Sequence, residues 1–163
     1  MTEPNAYDNR TTELPQVRFV LLHHDWPESH WDFLADLAPD SDRIATWSLD
    51  APLENLQTSG RAQKLADHRR FYLDHEGPVT GNRGTLKRIK TGMAEISRAS
   101  PEILEFMILE ASSPNPVRVG RLLLQRLSVT KNELHLKHRA GAETDWFFAW
   151  SPLISASESD ISK

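Results

Sequence analysis

The fold is decided by two short stretches near the N-terminus: RFVLLHH at residues 18–24 and HWDFLADL at residues 30–37. The first is an apolar run that favours a β-strand and ends in two histidines. The second alternates, as a strand with two different faces does. One face carries Trp31, Phe33, Ala35 and Leu37, and the other carries His30, Asp32, Leu34 and Asp36. We therefore predict two strands, with polar groups gathered where they approach each other.

Further strand candidates recur along the chain, with turn residues between them. They are residues 44–49, 84–89, 93–98, 103–110, 117–127, 133–138 and 146–150. This spacing is typical of an all-β sandwich or barrel. Residues 63–73 predict one short helix, and residues 103–110 are also compatible with a helix. The chain is therefore expected to be mainly β, with short, mostly antiparallel strands and one or two short helices.

Length and composition predict one ordinary globular domain. The chain has 163 residues, 39% of them hydrophobic and 26% charged, which suffices for a substantial core. The polar ends, residues 1–15 and 154–163, are expected to be flexible, and residues 16–153 form the predicted domain. Cysteine is absent, which excludes disulfides, a thiol nucleophile and thiolate zinc sites.

Net charge and hydropathy limit the classes of partner expected for the chain. No stretch approaches the roughly 18 consecutive apolar residues of a membrane helix, and no secretory leader is visible. We therefore expect a cytoplasmic protein with no membrane partner. The formal net charge is −4, whereas proteins that coat nucleic acid are usually basic. If this chain handles nucleic acid, we expect it to do so at a local pocket, such as one strand end.

The first polar cluster lies between the two strands, in HDWPESHWD at residues 24–32. On a strand, His30 and Asp32 point to the same face, and pairing of the strands would bring His24 beside them. Two imidazoles and one carboxylate suit Mn²⁺, Zn²⁺ or Fe²⁺ and leave positions open for water and substrate. The alternative is that these histidines are ordinary surface or hydrogen-bonded groups, since the chain contains seven.

The second polar cluster is DHRRFYLDHEG at residues 67–77. His68 and Tyr72 are four residues apart and would share one face of a helical turn. Such a pair can bind a phosphate or protonate a leaving oxygen. The alternative is a charged, solvated turn in which Tyr72 only packs.

Together the two clusters resemble the 3′-phosphoesterase domain of bacterial DNA ligase D. The first matches that family's His-Asp-x-x-x-x-His-x-Asp-Phe signature, from His24-Asp25 to Asp32-Phe33. The second matches its Asp-His-x-x-x-Tyr stretch and the acidic residue-Gly pair that follows, here Glu76-Gly77. The strand containing Trp47 also corresponds. The resemblance covers about residues 17–90, and the agreement of both clusters in order and spacing is more specific than either motif alone.

The resemblance implies a compact β-barrel and a divalent-metal-dependent phosphoesterase, a free-standing member of that family. Its substrates would be DNA 3′ ends carrying a phosphate or a ribonucleotide, trimmed during repair by non-homologous end joining. The implied metal ligands are His24, His30 and Asp32, with Mn²⁺ expected first and Zn²⁺ or another ion as alternatives. His68 and Tyr72 would be catalytic. The implied substrate-binding residues are Lys64, Arg69, Arg70 and Arg83. A monomer is expected, with end-joining proteins as further partners.

The chain also departs from this family. Leu34 occupies the place of an arginine that grips phosphate, and Asp50 lies at or near the place of a lysine. An acid in place of a cation repels a phosphate dianion. Two alternatives therefore stay open: a non-catalytic relative that binds a metal or a DNA end, and a phosphoesterase for a smaller substrate. The basic run Lys87, Arg88 and Lys90 is typical of a protected strand edge, or it steers a polynucleotide end.

Overall fold

A computed structural model describes residues 13–110, 115–127 and 145–153. Within these residues the chain forms ten strands, numbered here in chain order, and one four-residue 3₁₀ turn, Arg70–Leu73. The strands are β1 (Gln16–His24), β2 (His30–Ala35), β3 (Arg43–Leu49), β4 (Thr58–Lys64), β5 (His68–Arg69), β6 (Gly77–Pro78), β7 (Thr85–Ala99), β8 (Ile103–Glu110), β9 (Val117–Arg126) and β10 (Asp145–Pro152).

Eight of these strands close into an antiparallel barrel, which confirms the predicted fold class. Neighbours around the barrel run β1-β2-β3-β4-β10-β9-β8-β7, and pairing of β1 with β7 completes the circle. The two short strands add to the outside of this ring, because β5 pairs with the start of β3 and β6 pairs with the start of β7.

The barrel interior is filled by one large hydrophobic cluster. All eight barrel strands contribute to it, and its largest fully buried side chains include Phe19, Phe33, Trp47, Phe106 and Phe148. On β2 the interior face carries Trp31, Phe33 and Ala35, as the alternation predicted. Each such side chain removes apolar area from water, at about 25 cal/mol per Å². Because successive side chains of a strand point to opposite faces, the other face of β1 and β2 points out of the barrel.

A second, smaller cluster lies on that outer face. It contains Val20, Leu22, Leu34, Ile44, Leu73 and Leu86. Residues 65–79, here called the covering segment, cross this face from β4 to β7 and contribute Leu73, with Tyr72 and Val79 packed beside it. The outer face at β1 and β2 is therefore a small core with a polar end, where His24, His30 and Asp32 lie.

Three details of the secondary structure differ from the predictions. Within residues 63–73, which were expected to hold a short helix, only the 3₁₀ turn Arg70–Leu73 is helical, because β4 extends to Lys64 and β5 pairs with β3. Residues 84–89 and 93–98 belong to one strand, β7, with a bulge at Ile89, because Leu22 pairs with Arg88 and Leu21 with Lys90.

The third difference is β4, which the sequence analysis missed. Its sequence TSGRAQK lacks large apolar residues, because the interior is already filled at this point. A Cβ atom on Gly60 would lie 2.9 Å from the Phe148 ring.

Parts of several predictions lie outside the described residues. These are the strand at residues 133–138, the tail at 154–163 and most of the N-terminal segment, residues 1–12. Among the residues that the structure describes, no helix is long and apolar enough to cross a membrane.

Candidate metal centre

Three predicted ligands, His24, His30 and Asp32, come together at the loop end of the β1–β2 hairpin. His24 and His30 are directly opposite each other in the strand pairing, and Asp32 follows His30 by two residues on the same face. Their ligand atoms lie within 4.8 Å of one another. The hairpin thus brings together residues that the spacing alone only suggested.

The carboxylate of Asp32 is the buried centre of the group. Its Oδ2 atom lies 3.9 Å from Nδ1 of His24, and its Oδ1 atom lies 3.4 Å from Nε2 of His30. The Asp32 side chain is only 4% exposed, whereas His24 and His30 are 15% and 22% exposed. Oδ1 is buried and makes no hydrogen bond. A buried carboxylate oxygen without a partner is costly unless a proton or a cation neutralises it.

Hydrogen bonds to the backbone orient both imidazoles. His24 donates from Nε2 to the carbonyl oxygen of Arg83 at 2.7 Å. His30 donates from Nδ1 to the carbonyl oxygen of Glu28, also at 2.7 Å. Because a carbonyl only accepts, these nitrogens carry the protons. The remaining nitrogens of the neutral rings therefore present lone pairs toward Asp32, the arrangement that outer carbonyls impose on metal-binding histidines.

The carbonyl of Arg83 belongs to a tight turn at residues 80–84. Gly81, Asn82 and Gly84 all have positive φ angles, of 80°, 55° and 77°. The backbone N–H of Thr85 donates to Oδ1 of Asp25 at 2.6 Å, which fastens this turn to the β1–β2 loop. A Cβ atom on Gly84 would lie 2.3 Å from that same Asp25 oxygen. Asp25 and Gly84 therefore hold the turn close enough for its carbonyl to reach His24.

The residues present fit a divalent transition metal. Two imidazole nitrogens and one carboxylate converge within 4.8 Å of one another, and this is a donor set that such ions accept. The Asp32 carboxylate is the largest influence that raises the pKa of His30 above its usual 6.5, while burial opposes it. A positive charge, either a proton or a metal ion, is thus favoured between these groups. His24, His30 and Asp32 are a group that can hold a metal ion.

His68 and Tyr72 lie on the covering segment and contact each other. Their ring centroids are 5.7 Å apart in an edge-to-face arrangement, and Tyr72 also meets His75 at 5.9 Å. His68 belongs to β5 and not to a helix, so the expected helical spacing is not what unites the pair. Nδ1 of His68 donates to the carbonyl oxygen of Ala66 at 3.0 Å, which leaves Nε2 facing away from its own backbone.

The His68–Tyr72 pair and the three clustered ligands lie on the same outer face but at different positions along the strands. His68 pairs with Ile44 on β3, whereas Asp32 is opposite Ser48. Four residues along a strand correspond to about 13 Å. In the described part of the chain, no hydrogen bond, ion pair or ring contact joins the two groups. The structure therefore brings the metal ligands together and leaves His68 and Tyr72 as a neighbouring group across the small outer core.

Lys64 and Arg70, two of the predicted substrate-binding cations, are engaged elsewhere. Lys64 binds Asp67 at 2.8 Å and lies 5.2 Å over the ring of Trp47, on the interior side of the barrel. Arg70 forms two hydrogen bonds of 2.6 Å to Asp36 and three more to backbone carbonyls. These contacts make Arg70 an anchor for residues 36–41, and they place Lys64 on the opposite face of the sheet from Asp32.

The other two predicted cations are exposed. Arg69 borders a groove on the covering segment together with Phe71, Tyr72 and His75, and its side chain makes no hydrogen bond within the described residues. The Arg83 guanidinium bonds to Thr80 in its own turn. Its contribution to the site is its carbonyl oxygen.

The two positions at which the chain departs from the ligase D phosphoesterase pattern both have a structural role. Leu34, where the family carries an arginine, is fully buried in the outer core. Asp50, where the family carries a lysine, accepts a hydrogen bond from the backbone N–H of Arg61 at 3.1 Å. Neither position supplies a cation near Asp32.

One cation near the ligands appears in the sequence analysis only as a member of the basic run Lys87, Arg88 and Lys90. Arg88 on β7 is opposite Leu22, which is itself opposite Asp32, so all three side chains share the outer face. Arg88 is half-buried, and its Nε atom is buried without a hydrogen-bond partner. A buried donor without an acceptor is unfavourable. The bulge at Ile89 obscured this residue, because it breaks the alternation that would separate outward from inward side chains.

Comparison of the chain with models of known protein families and with curated proteins found no match.

Proposed function

We propose that this protein is a divalent-metal-dependent phosphoesterase that acts on the 3′ end of DNA. The observation that carries the proposal is the buried Asp32 carboxylate, which makes no hydrogen bond from Oδ1 and lies beside two imidazoles whose other nitrogens are fixed by carbonyls. Such a site needs a cation, and the partly exposed histidines leave it open on the solvent side. The resemblance of both polar clusters to the ligase D phosphoesterase supports the choice of reaction.

His24, His30 and Asp32 would hold the metal, with Mn²⁺ expected first. When bound, the ion supplies Lewis-acid polarisation of a phosphate oxygen and activation of water. Zn²⁺ is the alternative ion, since the donor set accepts both.

His68 and Tyr72 are proposed to act on the phosphate from the covering segment. With Nδ1 committed to a carbonyl, His68 offers Nε2 as the donor when the ring is protonated, which suits a general acid or a stabiliser of transition-state charge. Tyr72 packs against the same ring and presents a hydroxyl donor. Because these residues lie about four residues along β3 from the level of Asp32, they would reach a phosphate held at the metal ligands only after the covering segment shifts toward the β1–β2 loop.

Two further features favour a nucleic-acid end over a bare phosphate. Trp26 is 42% exposed, and its ring lies 6.5 Å from that of His24, so a base can stack beside the metal ligands. Arg88 and Arg69 are cations without a carboxylate within salt-bridge distance in the described residues, and they are proposed to replace the missing arginine at position 34. The proposed partner is accordingly a DNA 3′ end at a local pocket.

The test is a gel assay with primer-templates ending in a 3′-phosphate or one 3′-ribonucleotide, with Mn²⁺ titrated. We expect metal-dependent trimming that His30→Ala abolishes and His23→Ala preserves. His23 is the matched control, because it neighbours His24 on β1 but pairs with Trp31 on the other face. Hydrolysis of only a small diester, such as bis(4-nitrophenyl) phosphate, would replace the DNA substrate by a smaller one. Mn²⁺ binding without any hydrolysis would contradict the proposed enzymatic activity and would indicate a binding module.

A further inference from the structure

A groove runs along the covering segment and into the turn that follows it. It has a volume of about 320 Å³, which falls in the range of ligand sites, about 300–1,000 Å³. Its lining includes Arg69, Phe71, Tyr72, His75 and Thr80. None of the three metal ligands belongs to this lining, so the groove is a second place on the outer surface where a ligand can be held.

Phe71 forms an exposed aromatic platform in this groove. The residue is 58% exposed, and its ring stacks on that of His75, with centroids 4.6 Å apart and an angle of 30° between the planes. Tyr72 meets the Phe71 ring edge to face at 5.2 Å. His75 is itself fixed, because its Nε2 donates to the carbonyl oxygen of Pro78 at 3.1 Å. A ring supported in this way offers its free face for stacking with a planar ligand.

Arg69 gives the groove a positive charge that no acid neutralises. Its side chain is exposed and makes no hydrogen bond or ion pair within the described residues. The three acidic residues of the covering segment each have another partner: Asp67 with Lys64, Asp74 with Arg18, and Glu76 with the backbone N–H of Arg88. A free cation beside an exposed aromatic ring is the combination that binds the phosphate and the base of single-stranded nucleic acid.

The far end of the groove lies close to the metal centre. Gly77 pairs with Leu86, and Leu86 pairs with His24 on the other side of β7. Gly77 and His24 are therefore two strand spacings apart, about 10 Å. The backbone N–H of Val79 donates to the carbonyl oxygen of Gly84 at 2.9 Å, which joins the groove to the turn that orients His24. A ligand in the groove is thus near enough to be continuous with one at the metal ligands.

We propose that Phe71 stacks on the base of the nucleotide next to the 3′ terminus of a DNA strand, and that Arg69 pairs with a phosphate of the same strand. This inference rests on the proposed function, because it takes a DNA 3′ end as the substrate. It adds the residues that hold the strand behind the reacting end. The strand must be single at this point, because stacking on Phe71 needs a base face that no neighbouring base covers.

The probe is a single-stranded oligodeoxynucleotide with a 3′-hydroxyl end and 2-aminopurine next to the terminal nucleotide. This end carries no scissile phosphate, and a chelating agent removes metal, so binding is measured without turnover. We expect the wild-type protein to quench the 2-aminopurine fluorescence, since stacking quenches this base. A 2-aminopurine in the middle of the oligonucleotide should be quenched less.

Phe71→Ala should abolish the quenching and weaken binding about tenfold, whereas Phe71→Trp should retain both. Phe71→Leu keeps an apolar side chain without a ring and should behave like Phe71→Ala. Leu56→Ala is the matched control, because Leu56 is an apolar side chain that is 75% exposed and lies outside the groove. Arg69→Gln should lower the slope of log affinity against log salt by about 0.7, the contribution of one phosphate contact.

Absence of quenching in the wild-type protein would overturn the inference. So would quenching that persists in Phe71→Ala, or that Leu56→Ala removes equally. The trimming assay keeps the two proposals apart. Trimming with the same KM in wild type and Phe71→Ala, without quenching, would refute the stacking site and leave the phosphoesterase. Quenching that depends on Phe71 in a protein that trims no end would refute the phosphoesterase and support the stacking site.

Discussion

Nε2 of His24 lies 2.7 Å from the carbonyl oxygen of Arg83, a residue 59 positions further along the chain. This contact fixes which nitrogen of His24 carries its proton and points the other toward Asp32. The turn at residues 80–84 therefore works as part of the metal centre although it supplies no ligand. Outer contacts of this kind commonly contribute 10- to 100-fold to metal affinity.

Gly84→Ala should weaken metal binding about tenfold or more. Its Cβ would lie 2.3 Å from Oδ1 of Asp25 and 2.5 Å from Cβ of Trp26, so the turn must move and carry the Arg83 carbonyl with it. Gly81→Ala is the matched control, because its φ of 80° gives a similar backbone penalty of about 1 kcal/mol but its nearest new contact is at 3.6 Å. Calorimetric titration with Mn²⁺ measures both, and equal affinity in the two variants would contradict this role for the turn.

Asp32→Asn should abolish metal binding and, in metal-free protein at pH 8, raise the free energy of unfolding by about 1 kcal/mol. The reason is that Oδ1 is buried without a partner, and removal of its charge relieves that cost. Asp36→Asn is the control: it breaks two hydrogen bonds to Arg70 and should destabilise the protein with or without metal. Denaturant unfolding in a chelating agent is the measurement, and a destabilised Asp32→Asn would argue against an unsatisfied carboxylate.

Metal affinity should rise with pH through the titration of His30. Its pKa is raised, so the folded imidazole still binds a proton somewhat above pH 6.5, and that proton competes with the metal. In metal-free protein the sign is opposite. The stabilisation from protonated His30 is fully present below the unfolded pKa of 6.5 and is lost as pH rises through the higher folded pKa.

Calorimetry and unfolding between pH 5.5 and 8.5 measure both trends. His30→Gln should flatten the unfolding trend. A metal affinity that does not change over this range would exclude His30 as a ligand.

Arg88→Met should lower kcat/KM for a 3′-phosphate primer about 10- to 100-fold and leave Mn²⁺ affinity unchanged. Arg88 shares the outer face with Leu22 and Asp32, and its buried Nε lacks a partner, so a phosphate oxygen is its proposed acceptor. Lys87→Met is the matched control, since Lys87 is exposed and pairs with His23. Equal losses of kcat/KM in the two variants would contradict a specific contact between Arg88 and the phosphate and would indicate an effect of overall charge.

Arg70→Met should destabilise the protein by about 1–3 kcal/mol, because the partly buried Asp36 carboxylate loses a bidentate partner. Arg69→Met, at an exposed neighbour with no hydrogen bond from its side chain in the described residues, should leave stability within about 0.5 kcal/mol. Thermal unfolding distinguishes them. Similar stability of the two variants would contradict the division between an anchor and a free cation.

The sequence predicted the hairpin and its three clustered residues because local rules govern them. Alternation fixed the faces of β2, and antiparallel pairing then set His24 opposite His30. The sequence could not predict that the carbonyls of Glu28 and Arg83 orient the histidines, since every residue has a carbonyl and only the fold sets its direction. Arg88 was predicted only as one of a basic run, and its place on the face of the ligands was missed because a bulge breaks the alternation of β7. Strand β4 was missed because large neighbours leave room only for small interior side chains.

The short helix predicted within residues 63–73 is limited to the 3₁₀ turn Arg70–Leu73 for a related reason. Its polar sequence fits a turn as well as a helix, and pairing of His68 with Ile44 is a tertiary contact that local propensity does not contain. The same pairing sets His68 about four residues along β3 from the level of Asp32. The spacing of residues within one segment does not predict this distance between His68 and Asp32.

The most direct test of the account is pulsed EPR of protein loaded with one equivalent of Mn²⁺. We expect nitrogen couplings from two imidazoles in the wild-type protein, from one imidazole in His24→Ala or His30→Ala, and from two in the His23→Ala control. Wild-type couplings that persist in both ligand variants, or Mn²⁺ that shows no nitrogen coupling at all, would contradict a metal centre formed by His24, His30 and Asp32.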